Sequence, residues 1–200
     1  MKRRSELSGF FRRMSGLPAA LLLLCCCMAA IFLGGCGSGD DGYKAPPGTT
    51  EYVITEFYGT AEAGRDYIRK SKNKSLCKDG RLDNDGHIHL YVTDDQRKIW
   101  VDEAEKSMKE IEEKASKRGV SYQYSMNYTE LTVSAPPGSD IKGMATVLHQ
   151  GLFDAELYQV FSGTPDWHLH LVVTNSDNGK KLVDVTQPEE GFTINASMWK

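Results

Sequence analysis

From residue 85 onward the chain switches between two hydrophobic periods. Ile88, Leu90 and Val92 alternate with His87, His89 and Tyr91, the period of two that a half-buried strand requires, and Asp85-Gly86 ahead of them is a turn signal. The period then lengthens. Trp100, Ala104, Met108, Ile111 and Ala115 recur three or four apart, which predicts one buried stripe along a helix. Thr93-Asp94-Asp95-Gln96 reads as a capping box for its start, with the Thr93 hydroxyl available to a backbone N–H and Gln96 able to reach back. Asp94 and Asp95 suit the positive end of the helix dipole, while Lys114, Lys117 and Arg118 suit the other. Gly119 follows as a left-handed stop.

Beyond it, residues 122–126 and 131–133 read as two strands joined through Asn127-Tyr128, most simply as a hairpin. Ala135-Pro136-Pro137-Gly138 breaks the chain, Ser139 or Asp140 can cap, and Ile141, Met144, Val147, Leu148 and Leu152 predict a second amphipathic helix. Gly143 and Gly151 would let that helix sit close to a sheet. Residues 158–161 and 167–173 read as strands around the turn Gly163-Thr164-Pro165-Asp166, and 182–185 as a last strand. Upstream, the β-branched and aromatic content of 52–58 predicts a strand, and 61–75 a short polar helix or loop. The order from His87 is β-α-β-β-α-β with extra strands. That is an α+β pattern, and its expected form is an antiparallel sheet with two helices packed on one face, the ferredoxin-like split βαβ arrangement. A different α+β sheet built from the same elements is the alternative.

The first 35 residues have another character. Lys2, Arg3, Arg4, Arg12 and Arg13 precede an unbroken apolar run at 17–33, and a basic start, apolar middle and small residues at the end form the pattern of an export signal. The Arg12-Arg13 pair reads as ordinary positive charge, since its surroundings match the twin-arginine motif poorly. The run ends in Leu33-Gly34-Gly35-Cys36, which resembles the lipobox of bacterial lipoproteins. That resemblance implies cleavage before Cys36 and acylation of Cys36 with palmitate-type chains, two of which hold a protein stably to a bilayer. The expected location is the cell membrane, lipid-anchored on its extracytoplasmic face. An uncleaved signal anchor would place the rest of the chain similarly, because the apolar run is only just long enough to span. Residues 37–50, rich in Gly, Ser, Asp and Pro, read as a flexible tether. The expected organisation is thus a leader at 1–35, a tether at 36–50 and one α+β domain at 51–200. The mature part is similar to small uncharacterised lipoproteins of Gram-positive bacteria, a likeness in which no motif carries a known activity.

Charge narrows the function classes. Residues 1–35 hold five of the 24 basic residues and one of the 27 acidic ones, so their removal leaves 19 against 26, a net charge of −7. An acidic domain argues against nucleic acid as a partner, since phosphate binding needs a concentrated positive patch. Three of the five cysteines lie in the leader and Cys36 takes the lipid. Cys77 is then alone, without a disulfide framework and without neighbours that mark a nucleophile.

Four of the five histidines form two His-x-His pairs, His87 with His89 and His168 with His170. Residues two apart on a strand share a face, so each pair can present two imidazoles, and four together could hold zinc or copper. If 158–161 is a strand, the second pair sits one strand further out, about 10 Å away, too far for one tightly held ion. Solvated strand positions are the simpler reading, with no cofactor. Gly59-Thr60-Ala61-Glu62-Ala63-Gly64-Arg65-Asp66 has the glycine spacing of a phosphate loop but lacks its lysine and hydroxyl. Asp83-Asn84-Asp85-Gly86 has the start of a calcium loop without its later spacing, and reads as a turn. The basic segment at 65–81 reads as a solvated loop, or as a contact for anionic lipid headgroups or cell-wall polymers. Together these point to a membrane-anchored, non-enzymatic module that binds an envelope ligand or partner protein; the alternative is a metal-binding lipoprotein or metal-dependent enzyme using the histidine pairs.

Overall fold

The computed structural model describes residues 43–57 and 59–199. The leader, Cys36, residues 37–42 of the expected tether and Tyr58 lie outside the described residues; of the tether's remainder, Pro46 to Thr49 form a turn closed by a Thr49 hydroxyl bond to the Pro46 carbonyl. The elements run β1 (Thr50–Ile54), α1 (Ala61–Asn73), β2 (Asp79–Leu82), β3 (Ile88–Val92), α2 (Asp94–Ser116), β4 (Ser121–Tyr124), β5 (Glu130–Ala135), α3 (Ile141–Phe161), β6 (Leu169–Asn175), β7 (Lys181–Gln187) and a short 3-10 turn, Ala196–Trp199. The fold is α+β.

Helix α2 forms where the periodicity places it. The Gln96 N–H donates to the Thr93 hydroxyl at 3.4 Å and the Thr93 N–H donates to Gln96 Oε1 at 2.9 Å, completing the capping box. The expected stripe from Trp100 to Ala115 is buried, and Gly119, at φ 74°, turns the chain out of the helix. Of the helix or loop expected at 61–75, the structure has the helix, α1, and residues 65–73 of the basic segment lie in it and not in a solvated loop. Thr60 caps it, and a Cβ on Gly64 would lie 2.9 Å from Leu82 Cδ1, so that glycine serves close packing on β2 and not a phosphate.

The strands fall into two sheets. One is antiparallel with the order β1-β3-β2, and the other has the order β4-β5-β6-β7, in which β5 and β6 are parallel and the outer pairs antiparallel. This corrects the single antiparallel ferredoxin-like sheet: β3 joins neither β4 nor β6, and β6 pairs with β5 and β7. The cause lies in residues 158–161, which are not a strand but the last turn of α3. From Gly151 to Phe161 every residue except Tyr158 is buried. A helix enclosed on all sides has no polar stripe to announce it, so its β-branched and aromatic end reads as a strand. Extending the helix to Phe161 also supplies the long crossover that a parallel pair needs.

Helices α2 and α3 contribute Met108, Ile111, Met144, Leu148 and Leu152 to one core with Leu131, Val133, Leu169, Leu171 and Val173 of the four-stranded sheet. Trp199 closes this core by donating from its ring to the Ala135 carbonyl at 3.0 Å. A second, aromatic group joins the helices to the three-stranded sheet: Phe161 stacks on Trp100 at 5.2 Å and on Tyr52 at 4.8 Å, and Tyr67 of α1 meets Phe153 edge-on at 5.9 Å. Each such pair adds about 1 kcal/mol beyond its buried area.

Two carboxylates sit inside this packing. Asp154 accepts from the Ser107 hydroxyl of α2 at 2.6 Å and from Gln150 at 2.9 Å. Glu156 Oε1 accepts the backbone N–H of Thr55 at 2.6 Å, its hydroxyl at 3.0 Å and the Glu56 N–H at 3.1 Å, tying α3 to the end of β1. Both residues are fully buried, and burial pushes each carboxyl up to about 7 despite these bonds. A carboxyl whose folded pKa is raised binds its proton better in the native state, so stability falls as pH climbs from the unfolded carboxylate range to about 7, by roughly 3–4 kcal/mol for each group. Asp154→Asn removes one of the two ionisations. Urea denaturation at about pH 5 and about pH 8 is expected to show a smaller loss of stability in the variant than in the wild type; an equal loss would contradict the assignment.

Candidate functional site

The outer face of the three-stranded sheet carries a connected group of polar side chains. Ile88, Leu90 and Val92 turn inward and are buried, which by the strand period puts His87, His89 and Tyr91 on the opposite side, where Tyr91 is itself buried. The pairing of β1 and β2 with β3 then brings Glu51 and Arg81 to the same surface. Asp83 follows β2 at the turn to β3, where Gly86, at φ 90°, supplies the left-handed residue.

Asp83 organises this turn. Its Oδ1 accepts the backbone N–H of Asp85 at 3.0 Å and of His87 at 2.8 Å, and its Oδ2 lies 3.2 Å from His87 Nδ1 and 3.1 Å from His89 Nε2. The other ring nitrogen of His89 lies 2.8 Å from Glu51 Oε1, so one imidazole bridges acids on both sides of β3. Glu51 also accepts from the Tyr91 hydroxyl at 2.7 Å, and Arg81 Nε donates to that hydroxyl at 3.2 Å. Partial burial alone would raise the Asp83 and Glu51 carboxyls, but their bonds and charges outweigh it: His89 and His87 for Asp83; Tyr91, His89 and Arg81 for Glu51. Both end below their usual values.

The two histidine pairs are not brought together by strand pairing. His89 stands on β3 with His87 just before it, while His170 stands on β6 of the other sheet with His168 just before it. His170 Nε2 lies 2.7 Å from Asp184 Oδ1 on the neighbouring β7. His168 has an exposed side chain, and its backbone N–H and carbonyl are both held by Gln159. The group with ligand spacing is instead Asp83, Asp85 and His87, whose ligand atoms lie within 4.8 Å of one another. Cys77 is buried, and burial raises its thiol to about 11, which leaves it protonated and a poor nucleophile at neutral pH.

Glu51, Arg81 and Tyr91 had no signal in the chain's local pattern, because their meeting depends on which strands flank β3. Asp83 did have one: an acid four residues before a histidine across a tight turn can fold its carboxylate back onto the imidazole. Among the described residues no helix is long and apolar enough to cross a membrane. Comparison of the chain with protein-family models, with curated proteins and with solved structures finds no match in any of the three.

The bridge across β3 has a stability consequence. His89→Ala leaves two carboxylates without their shared partner and is expected to cost about 1–2 kcal/mol at neutral pH. His168→Ala keeps both backbone bonds to Gln159 and should stay within about 0.5 kcal/mol of wild type. Because Asp83 and Glu51 are held below their usual values, the bridge contributes above the ordinary carboxylate range and is lost as pH falls through the lowered values. Urea midpoints measured at neutral pH and in acid test both parts, and equal costs for the two variants would refute the bridge.

Proposed function

We propose that this chain is an exported lipoprotein, acylated at Cys36 and held at the extracytoplasmic face of a cell membrane, where its α+β domain acts as a non-enzymatic module that binds an envelope ligand or partner protein. The observation that carries the reading is Leu33-Gly34-Gly35-Cys36 at the end of a basic and then apolar leader. The binding role is supported by the outer face of the three-stranded sheet. Its charged groups are fixed by cross-strand bonds before any ligand arrives, which reduces the ordering cost of recognition. The ferredoxin-like plan enters this reading only as kinship for the stretch from β4 to β6, a hairpin followed by a helical crossover. Mass spectrometry of the product recovered from membranes is expected to show a chain beginning at Cys36 with fatty acyl mass, and Cys36→Ser should abolish that mass. An intact Met1 terminus without acyl mass, in protein from the cytosolic fraction, would overturn the proposal.

A second reading is a metal-binding lipoprotein or metal-dependent enzyme, for which Asp83, Asp85 and His87 have ligand spacing. A zinc or copper ion there would have one imidazole and two carboxylates as ligands. His89 is one hydrogen bond away, and His168 and His170 stand on the other sheet. Calorimetry with zinc and with copper is expected to give one ion per chain, lost in His87→Ala. A metal-free preparation that takes up neither ion would end this reading.

A further inference from the structure

We infer that the C-terminal end of α1 and the segment leading into β2 form a docking surface for the anionic headgroups of the bilayer to which the chain is tethered. The inference rests on the lipoprotein reading and adds to it the orientation of the domain on its membrane.

Residues 69–78 hold five basic side chains, Arg69, Lys70, Lys72, Lys74 and Lys78, and no acid, within a mature chain that is acidic as a whole. All five are exposed. The topology puts them where the tether arrives. β1 and β2 both run antiparallel to β3, so both begin at the same end of the sheet: Thr50 pairs with Val92, and Asp79 pairs with Tyr91. The first residue of β1 therefore lies two strand spacings, about 10 Å, from the first residue of β2, into which the cationic segment leads directly. Thirteen residues lie between Cys36 and Thr50, and the steps across them can reach at most about 50 Å. The basic end of α1 thus stands at the end of the sheet where β1, the first strand after Cys36, begins.

Other groups at that end bear on the charge. Asp66, one turn earlier on α1, pairs with Arg69 and Lys70, and Asp79 pairs with Lys72, leaving a net positive segment; Asp94 and Asp95 stand in the first turn of α2, where Lys98 lies 3.6 Å from Asp95. The positive end of the α2 dipole partly offsets these two acids. The same turns of α2 are fixed to the basic segment, since Gln96 donates to the Ser75 carbonyl and Trp100 to the Leu76 carbonyl. Ile99 beside them is one of the large apolar side chains left exposed. Clustered lysines next to a membrane anchor are drawn to anionic lipid within a Debye length, about 10 Å, and a second attachment of this kind adds to a lipid anchor.

The test uses the full-length acylated protein, reconstituted into phosphatidylcholine vesicles with and without phosphatidylglycerol, with hydrogen exchange read over residues 69–78. Exchange is expected to slow several-fold only where phosphatidylglycerol is present. The slowing should vanish in high salt and in the triple variant Lys70→Gln, Lys74→Gln, Lys78→Gln, whose far-ultraviolet circular dichroism checks folding. Identical exchange in both vesicle types, with the protein bound to each through its acyl chains, would overturn the docking surface and leave the anchor standing. Protein found without acyl mass that still sediments only with phosphatidylglycerol vesicles would remove the anchor and support the surface. Protection by soluble poly(glycerol phosphate) but not by phosphatidylglycerol vesicles would overturn the bilayer as the occupant in favour of a wall polymer.

Discussion

The second half of α3 is the constraint on which the other elements depend. Its residues face α2, the four-stranded sheet and β1 in turn, and they do so with apolar contacts on every side and two buried carboxylates. Glu156 fastens the helix to the end of β1, and Asp154 fastens it to the middle of α2 through Ser107. Removing one partner from such a buried polar bond costs more than the bond contributes, because the other partner is left without water. These two groups therefore specify where the helix lies between the sheets at some expense in stability near neutral pH, a trade in which a buried charge favours one arrangement over its alternatives.

A fixed frame makes the outer surface of the three-stranded sheet a defined one. Each of its strands is short, four or five residues, and short strands alone are weak. Phe161 and Trp100 pack behind the sheet, and the imidazole of His89 links Glu51 and Asp83 in front of it. The surface that a ligand would meet is therefore set by groups from three strands and one turn, held from both sides. Strand β1 begins at one end of this sheet, the lysines at the end of α1 lead into β2 at that same end, and the histidine-bearing turn at Asp83 stands at the other.

Much of this could be read from the amino acids alone, and the failures have a common cause. Helix α2 was legible residue by residue, because a surface helix writes its buried stripe and its caps into the chain. The first half of α3 was legible for the same reason, from Asp140 to Leu152. Its second half was not: a segment enclosed on all sides shows no alternation between polar and apolar positions, and Tyr158, Val160 and Phe161 then carry only their preference for strands. That one misreading changed the sheet, since a strand at 158–161 leaves no crossover for β5 and β6 to pair in parallel. The candidate site follows the same rule. The histidine pairs and the turn at Asp83 were visible, while Glu51, 38 residues from His89, could be found only once β1 was placed against β3. Helix α1 was legible only as a helix or a loop, because most of its buried positions, Gly64, Tyr67, Ile68 and Ser71, are not strongly apolar residues.

Native-state hydrogen exchange of the backbone tests the central role of α3 most directly. If this helix holds the two sheets together, the amides of residues 153–160 open only when the whole domain unfolds, with a free energy equal to that from urea denaturation. Exchange of those amides at a lower free energy than that of residues 104–111 in α2 would show that the helix leaves its place while the remainder stays folded, and would contradict the role given to it.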